Sequence, residues 1–270
     1  MFEFFIDTAD ESYIEKKWEQ IREFVSPQDM LGVTTNPNAF FKVGDKSLAQ
    51  WGSRVKKLCR LVTQIRKDDK GIVHIQFPNS VISPHLFKEW VKIISTFSDG
   101  VTQLGIKIPP FKEALQIARQ YRGNVPINVT GVADAGTAIF AASYGVNYVS
   151  IIPGRMEEIE IDARLHAAYI QQSNLKGAKI ITGSMRTLAG LQWCVEFGTV
   201  PTIGTRVLDL INGNNAPEIF KWEEKDQNDV LFCPSITSKN TQLSIDFFAQ
   251  MDEMGKKAYS DLQTLTENRE

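Results

Sequence analysis

Short apolar runs recur along the chain, separated by stretches whose apolar positions follow a helical period. The runs are "FEFFI" (2–6), "MLGV" (30–33), "IVHIQF" (72–77), "LGIKI" (104–108), "PINVT" (126–130), "YVSII" (148–152), "KIIT" (179–182) and, more weakly, "VPTI" (200–203), which makes eight predicted strands. Among the intervening helices 12–25 is the clearest, with Ile14, Trp18, Ile21 and Val25 on one face and Ser12 and Glu15 spaced as a capping box.

A strand–helix unit repeated eight times implies right-handed parallel crossovers, and closing the eight units gives an α/β fold of the (β/α)8 TIM-barrel type. An open doubly wound sheet is the alternative. It would place a glycine-rich phosphate loop after an early strand, and neither GxGxxG nor GxxxxGK[ST] occurs in the sequence. The 270 residues therefore read as a single barrel domain over about 1–212, a polar surface excursion over about 213–238 and an extra C-terminal helix over about 239–266. In that helix Phe247, Met251, Met254, Ala258, Leu262 and Leu265 share a face that should lie against the barrel or a neighbouring subunit.

In a barrel, alternate strand residues point inward and reacting groups collect where strands end. Lys107 has the opposite parity to Ile106 and Ile108, so if those isoleucines meet the helix layer the lysine enters the barrel. Burial there disfavours the ammonium, lowers its pKa and raises the fraction of nucleophilic amine able to form a Schiff base. The alternative is a lysine that snorkels to the rim or pairs with a barrel carboxylate. Other polar residues fall at strand ends as well: Asp7, Thr34 with Asn36, His74 with Gln76, Asn128 with Thr130, and Thr182 with Ser184. Individually they could be a helix cap, a turn residue before Pro37 or an ordinary strand threonine; together they predict one polar mouth. Arg155 and Arg186 follow the sixth and seventh strands, where barrels commonly hold a phosphate. Each has a plainer reading, Arg155 as a surface ion pair with Glu157 or Glu158 and Arg186 as a solvated first-turn residue.

Composition narrows the chemistry. With 43% hydrophobic residues, 23% charged and a net charge of -2, the chain carries no basic surplus for nucleic acid. Its N-terminal stretch lacks a basic leader, and no apolar run approaches the roughly 18 residues of a membrane span, so a cytoplasmic protein without membrane partners is expected. Cys59, Cys194 and Cys233 are far apart and read as buried thiols, and His74, His85 and His166 lack metal-ligand spacing. Catalysis is expected to use neither a metal nor a cofactor.

The blocks "FIDTAD", "GVTTNP", "IKIP", "INVT", "YVSIIPGR" and "GSMR", in this order, resemble the transaldolase family, which includes the fructose-6-phosphate aldolases; the resemblance runs from about residue 4 to about 211. It implies a metal-free class I mechanism in which Lys107 forms a Schiff base with a ketose and Asp7 is the acid/base. By the same matching Asn36 orients substrate hydroxyls and Thr130 holds the catalytic water. Gln76 belongs to the catalytic set, Thr34 and Asn128 to substrate binding, and Arg155 and Ser184, with Arg186 beside them, to an anionic end. Sugar phosphates would be the small-molecule partners; the resemblance and the amphipathic tail both imply a homo-oligomer.

The sequence also departs from that pattern. Gln76 matches the aldolase branch and Asn128 the transferase branch, Ile152 replaces an aromatic residue, and Phe111 stands where a threonine would cap a helix. The leading expectation is transfer of a dihydroxyacetone unit from a ketose phosphate to an aldose. Alternatives are an aldolase releasing free dihydroxyacetone, the same chemistry on another anionic ketose such as a 6-sulfonate, and a catalytically silent sugar-phosphate-binding or scaffold barrel.

Overall fold

The computed structural model describes residues 2–173, 175, 177–223 and 234–268. Its first half runs β1 (Phe4–Asp7), α1 (Glu11–Ile21), β2 (Met30–Thr34), α2 (Pro37–Lys42), α3 (Leu48–Arg66), β3 (Ile72–Gln76), α4 (Pro84–Ser95), β4 (Gln103–Ile108), α5 (Lys112–Gln120) and β5 (Ile127–Val132). The second half adds α6 (Ala135–Ser143), β6 (Tyr148–Ile151), α7 (Pro153–Glu158), α8 (Ala163–Gln172), β7 (Lys179–Thr182), α9 (Leu188–Glu196), β8 (Val200–Gly204), α10 (Thr205–Leu208), α11 (Ala216–Ile219) and α12 (Ser238–Glu267). All eight expected strands are present, and they pair in parallel and in sequence order into a closed barrel. The protein is a (β/α)8 TIM barrel with an added C-terminal helix.

Strand residues of one parity, among them Ile6, Val33, Ile75, Ile106, Ile108 and Val129, join the helices in one large apolar core. Phe5, Ile72, Ile181 and Val200 form a second, smaller cluster with Leu31 and Tyr148, which fills the barrel interior. Helix α1 shows how one crossover is held. Ile14 and Ile21 are fully buried, each contributing about 1.5–3 kcal/mol by burial. Its start differs from the expectation: Asp10, not Ser12, caps the helix by accepting from the Tyr13 N–H at 3.1 Å, and the helix ends at Ile21. Asp10 precedes the first helical residue and can reach an unpaired N–H, whereas Ser12 already lies inside the helix, so the Ser12/Glu15 box does not form.

Two glycines set which residues face the mouth. The β1–β2 register slips between Phe4↔Met30 and Phe5↔Gly32, a bulge that takes up one residue of β2. After this slip Val33 lies in the outer core and Thr34 turns into the barrel. A side chain at Gly32 would overlap the Ile72 carbonyl oxygen, and its φ of 155° is one that L residues rarely adopt. Gly32→Ala is expected to cost about 3 kcal/mol or more, read as a lowered midpoint in urea unfolding. On β5 a second slip falls between Val129 and Val132, where Gly131 has φ 72°.

The long helix α12 docks over this second bulge. Ser244 Oγ donates to the Gly131 carbonyl at 2.8 Å, and Asn240 Nδ2 donates to the Ala133 carbonyl. Farther along, Asp252 accepts from the Ser80 N–H and hydroxyl, and Asp261 accepts from the Leu48 N–H. The helix thus spans the rim from β5 back to α3. Phe247, Met251, Ala258 and Leu262 are buried as expected, but Leu265 is 42% exposed, because the buried face runs on from Leu262 to Thr266 and leaves Leu265 beside it. Of the polar excursion, α11 is described and 224–233 lies outside the described residues, Cys233 included. Cys59 and Cys194 are buried free thiols. Among the described residues no helix is long and apolar enough to cross a membrane.

Candidate active site

Lys107 sits one residue before the end of β4 and is 6% exposed, flanked in register by Gln76 of β3 and Asn128 of β5. Its neighbours Ile106 and Ile108 belong to the outer core, so the parity reading holds and the ammonium is inside the barrel. Among the described residues no carboxylate makes an ion pair with it. Burial pushes its pKa below the ordinary lysine range, and the charge of Asp7 opposes that shift. A lysine in this setting has a larger share of nucleophilic free amine than an exposed one.

Asp7 ends β1, half-buried, and accepts from Thr34 Oγ1 at 2.9 Å. The β1–β2 pairing sets Asp7 beside Thr34, so the bulge at Gly32 is what supplies this carboxylate with its hydroxyl. Asn36 caps α2, its Oδ1 accepting from the Ala39 N–H at 2.9 Å; its other amide edge is not used in that bond. Asp7 and Asn36 line a cleft of about 340 Å³ at the rim with Tyr13, Lys42, Thr205 and Asp209. Larger grooves of about 540 and 570 Å³ lie at the opposite end of the barrel and between α1 and α3, lined by none of these residues.

Below Lys107 the barrel is plugged by His74, which is fully buried against Phe5 and Tyr148 at ring separations of 5.1 and 4.8 Å. Gly105, two residues before Lys107, makes room for it, since a side chain there would overlap the imidazole. Burial, helped by Lys107, pushes His74 down to about 3, so it is neutral at physiological pH. Ser150 donates to Asn128 Oδ1 at 2.7 Å, which leaves the Asn128 amide to face His74 Nδ1 at 3.3 Å. His74 therefore forms the floor of the mouth, beneath the groups that ring it. Thr130, two residues after Asn128 on β5, is 3% exposed.

The residues expected at an anionic end, Arg155, Ser184 and Arg186, come from α7 and the loop after β7. Gly154 packs so closely on the Ser184 carbonyl that a side chain would overlap it, and Ser184 takes φ 58°. Arg155 and Ser184 are neighbours for that reason. Neither arginine takes its plainer reading: Arg186 is not simply solvated but pairs with Glu158 at 2.9 Å, and Arg155 makes no ion pair with Glu157 or Glu158 but donates to Gln250 Oε1 at 3.1 Å and lies 5.0 Å from the centre of the Phe247 ring. Arg155 is held below the ordinary arginine range first by burial and then by Arg186, with Glu158 opposing. Thr182 does not join the mouth. Ile181 is the β7 residue inside the barrel, and Thr182 Oγ1 lies 3.1 Å from Thr199 Oγ1 on the helix side.

Gln76 Oε1, His74 Nε2, Thr202 Oγ1 and Arg155 Nε are buried without a hydrogen-bond partner among the described residues. Each such atom costs about 1–3 kcal/mol; Asp29 Oδ1 and Trp90 Nε1 are likewise unpaired away from the mouth, so such an atom points to an incoming polar molecule only where other polar groups converge, as at Gln76 beside Lys107. Thr202, Ser150 and Gln250 were not singled out in the sequence. The first two lie on strands at inward parity, a signal that was available; Gln250 carried none.

Comparison with known proteins adds a second line of observation. A "Probable transaldolase" of Bacteroides fragilis is 26% identical over 220 residues, spanning 78% of this chain and 88% of its own length. Another, from Methanococcus vannielii, is 28% identical over 221 residues, 80% of this chain and 92% of its own. A third, from Thermodesulfovibrio yellowstonii, reaches 32% identity over 157 residues, 58% of this chain and 63% of its own. The chain is thus similar, over most of its length, to proteins named probable transaldolases. No family model matches it. Among solved structures, orotidine 5'-monophosphate decarboxylase from Sulfolobus solfataricus superimposes with TM-score 0.50 at 13% identity, covering 81% of this chain and 95% of its own. The corresponding decarboxylase from Lactobacillus acidophilus gives 0.52 at 12%, covering 82% and 98%. At such identity the chain shares with them the barrel alone.

Proposed function

We propose that the protein is a class I transaldolase-like enzyme that moves a three-carbon dihydroxyacetone unit from a ketose phosphate to an aldehyde acceptor. The observation that carries this reading is Lys107, buried at the strand ends of a chain related to proteins named transaldolases, with no carboxylate in ion-pair contact among the described residues.

The amine of Lys107 attacks the ketose C2 carbonyl, and loss of water from the carbinolamine leaves an iminium that serves as the electron sink. Asp7 takes the proton of the C4 hydroxyl as the C3–C4 bond breaks, the electron pair enters the iminium, and an aldose phosphate departs. The enamine that remains attacks the acceptor aldehyde, and hydrolysis of the new iminium releases the product ketose and the free lysine. Gln76 Oε1, buried and unpartnered, and Thr130 would hold the water that enters and leaves. Asn36, Thr34 and Asn128 would orient hydroxyls, and Arg155 with Ser184 and Arg186 would receive the anionic end, for which phosphate and sulfonate present the same acceptors.

A second reading has Gln76 in its favour: an amide can hold the water but cannot relay its proton, and capture of the enamine by a proton would release free dihydroxyacetone. The two part on one assay. Under transfer, fructose 6-phosphate alone gives little free dihydroxyacetone, and adding an aldose phosphate accelerates consumption of the ketose. Steady release of dihydroxyacetone at a rate indifferent to the acceptor would establish the aldolase instead.

A further inference from the structure

Of the ten described arginines, four are held by a carboxylate. Arg22 pairs with Glu19, Arg54 with Glu11 and Asp45, Arg66 with Asp68, and Arg186 with Glu158. Arg155 instead rests on the face of Phe247 and donates one Nη2–H to the neutral amide of Gln250. Both partners come from α12, nearly a hundred residues downstream. Among the described residues no carboxylate makes an ion pair with Arg155, and its buried Nε–H has no acceptor. An aromatic face and an amide oxygen restrict a guanidinium without cancelling its charge, and its fork can then meet two oxygens of an anion.

We infer that the C-terminal helix is part of the anion subsite, with Gln250 and Phe247 as positioning residues that hold Arg155 charged and oriented for the phosphate or sulfonate end of the substrate. This rests on the function proposed above and extends it to two residues outside the barrel. Three features of the structure support it. α12 is fixed to the rim by Ser244, Asn240 and Asp252, so the position it gives Arg155 is defined. Gly154 brings the same helix turn onto Ser184. Arg186, the other guanidinium assigned to the anionic end, shares its charge with Glu158, which leaves Arg155 the less neutralised of the two.

The test uses Gln250→Ala, Gln250→Glu and Phe247→Leu in the full-length protein. Gln250 is exposed, so its variants should fold, and leucine keeps most of the apolar volume at Phe247. The reaction is followed with fructose 6-phosphate and with unphosphorylated fructose, and binding of inorganic phosphate is measured by calorimetry. The expected result is a KM for fructose 6-phosphate raised by about fivefold in Gln250→Ala, as for a contact of about 1 kcal/mol, with a smaller change for fructose and little in kcat. Gln250→Glu should be the worst of the three for both fructose 6-phosphate and phosphate, because its carboxylate would neutralise Arg155. Parallel losses for the two sugars, or a Gln250→Glu variant that binds phosphate as well as wild type, would overturn the inference. If wild type reacts with neither sugar the proposed function fails, and the ranking of the variants in phosphate binding still decides the role of Gln250.

Discussion

Lys107→Met removes turnover, by roughly four orders of magnitude or more as is typical when a covalent nucleophile is lost, and leaves a protein more stable than wild type at neutral pH. The two effects have one cause. Lys107 is held inside the barrel without an ion pair among the described residues and against the cost of desolvating its ammonium; methionine has similar length and no charge to desolvate. The pH dependence follows from the direction of the shift. Because the folded state lowers the lysine pKa, the unfolded chain binds more protons between the folded value and the ordinary lysine value near 10.4. Wild-type stability contributed by this group therefore rises with pH across that window, and the advantage of Lys107→Met shrinks toward its alkaline end. Urea unfolding of both proteins at several pH values measures this. A variant less stable than wild type throughout would mean that Lys107 serves the fold.

Asp7→Asn is expected to lower kcat by about a hundred- to ten-thousandfold, the usual range for loss of a general acid/base, with the fold preserved because the amide can still accept from Thr34 Oγ1. It should also move the acidic limb of Schiff-base formation to lower pH. The Asp7 charge raises the Lys107 pKa, so removing that charge lets the amine deprotonate earlier. Slower cleavage together with easier amine deprotonation separates an acid/base from a residue that only braces Thr34. The readout is the rate of trapping by borohydride against pH, set beside steady-state kcat.

Much of this was legible in the residues. Fully buried parallel strands are near-continuous apolar runs set off by helical periods, so all eight could be placed, and the parity of Lys107 against Ile106 and Ile108 located the amine. Simple alternation failed where the backbone departs from it. Counting from Leu31, which faces the interior, would put Thr34 on the outer face; the bulge permitted by Gly32 reverses this. Thr182 shows the converse, since Ile181 faces inward and the threonine turns to Thr199. The Arg186–Glu158 pair was not legible because Glu158 lies near both arginines, and only the three-dimensional path of α7 and the β7 loop decides which one pairs. Phe247 was legible only as part of the helix face that lies against the barrel, and Gln250 not at all, because their place beside Arg155 comes from docking α12 across the second bulge.

The most direct measurement is peptide mass spectrometry after incubation with fructose 6-phosphate and borohydride, with and without an aldose-phosphate acceptor. Lys17 is an internal control, a second buried lysine whose ammonium donates to the Ile211 carbonyl at 2.6 Å. The predicted result is one reduced dihydroxyacetone-sized adduct, on the peptide carrying Lys107, diminished when the acceptor is present and absent in Lys107→Met. An adduct on Lys17, or none on Lys107 with any anionic ketose, would contradict the account.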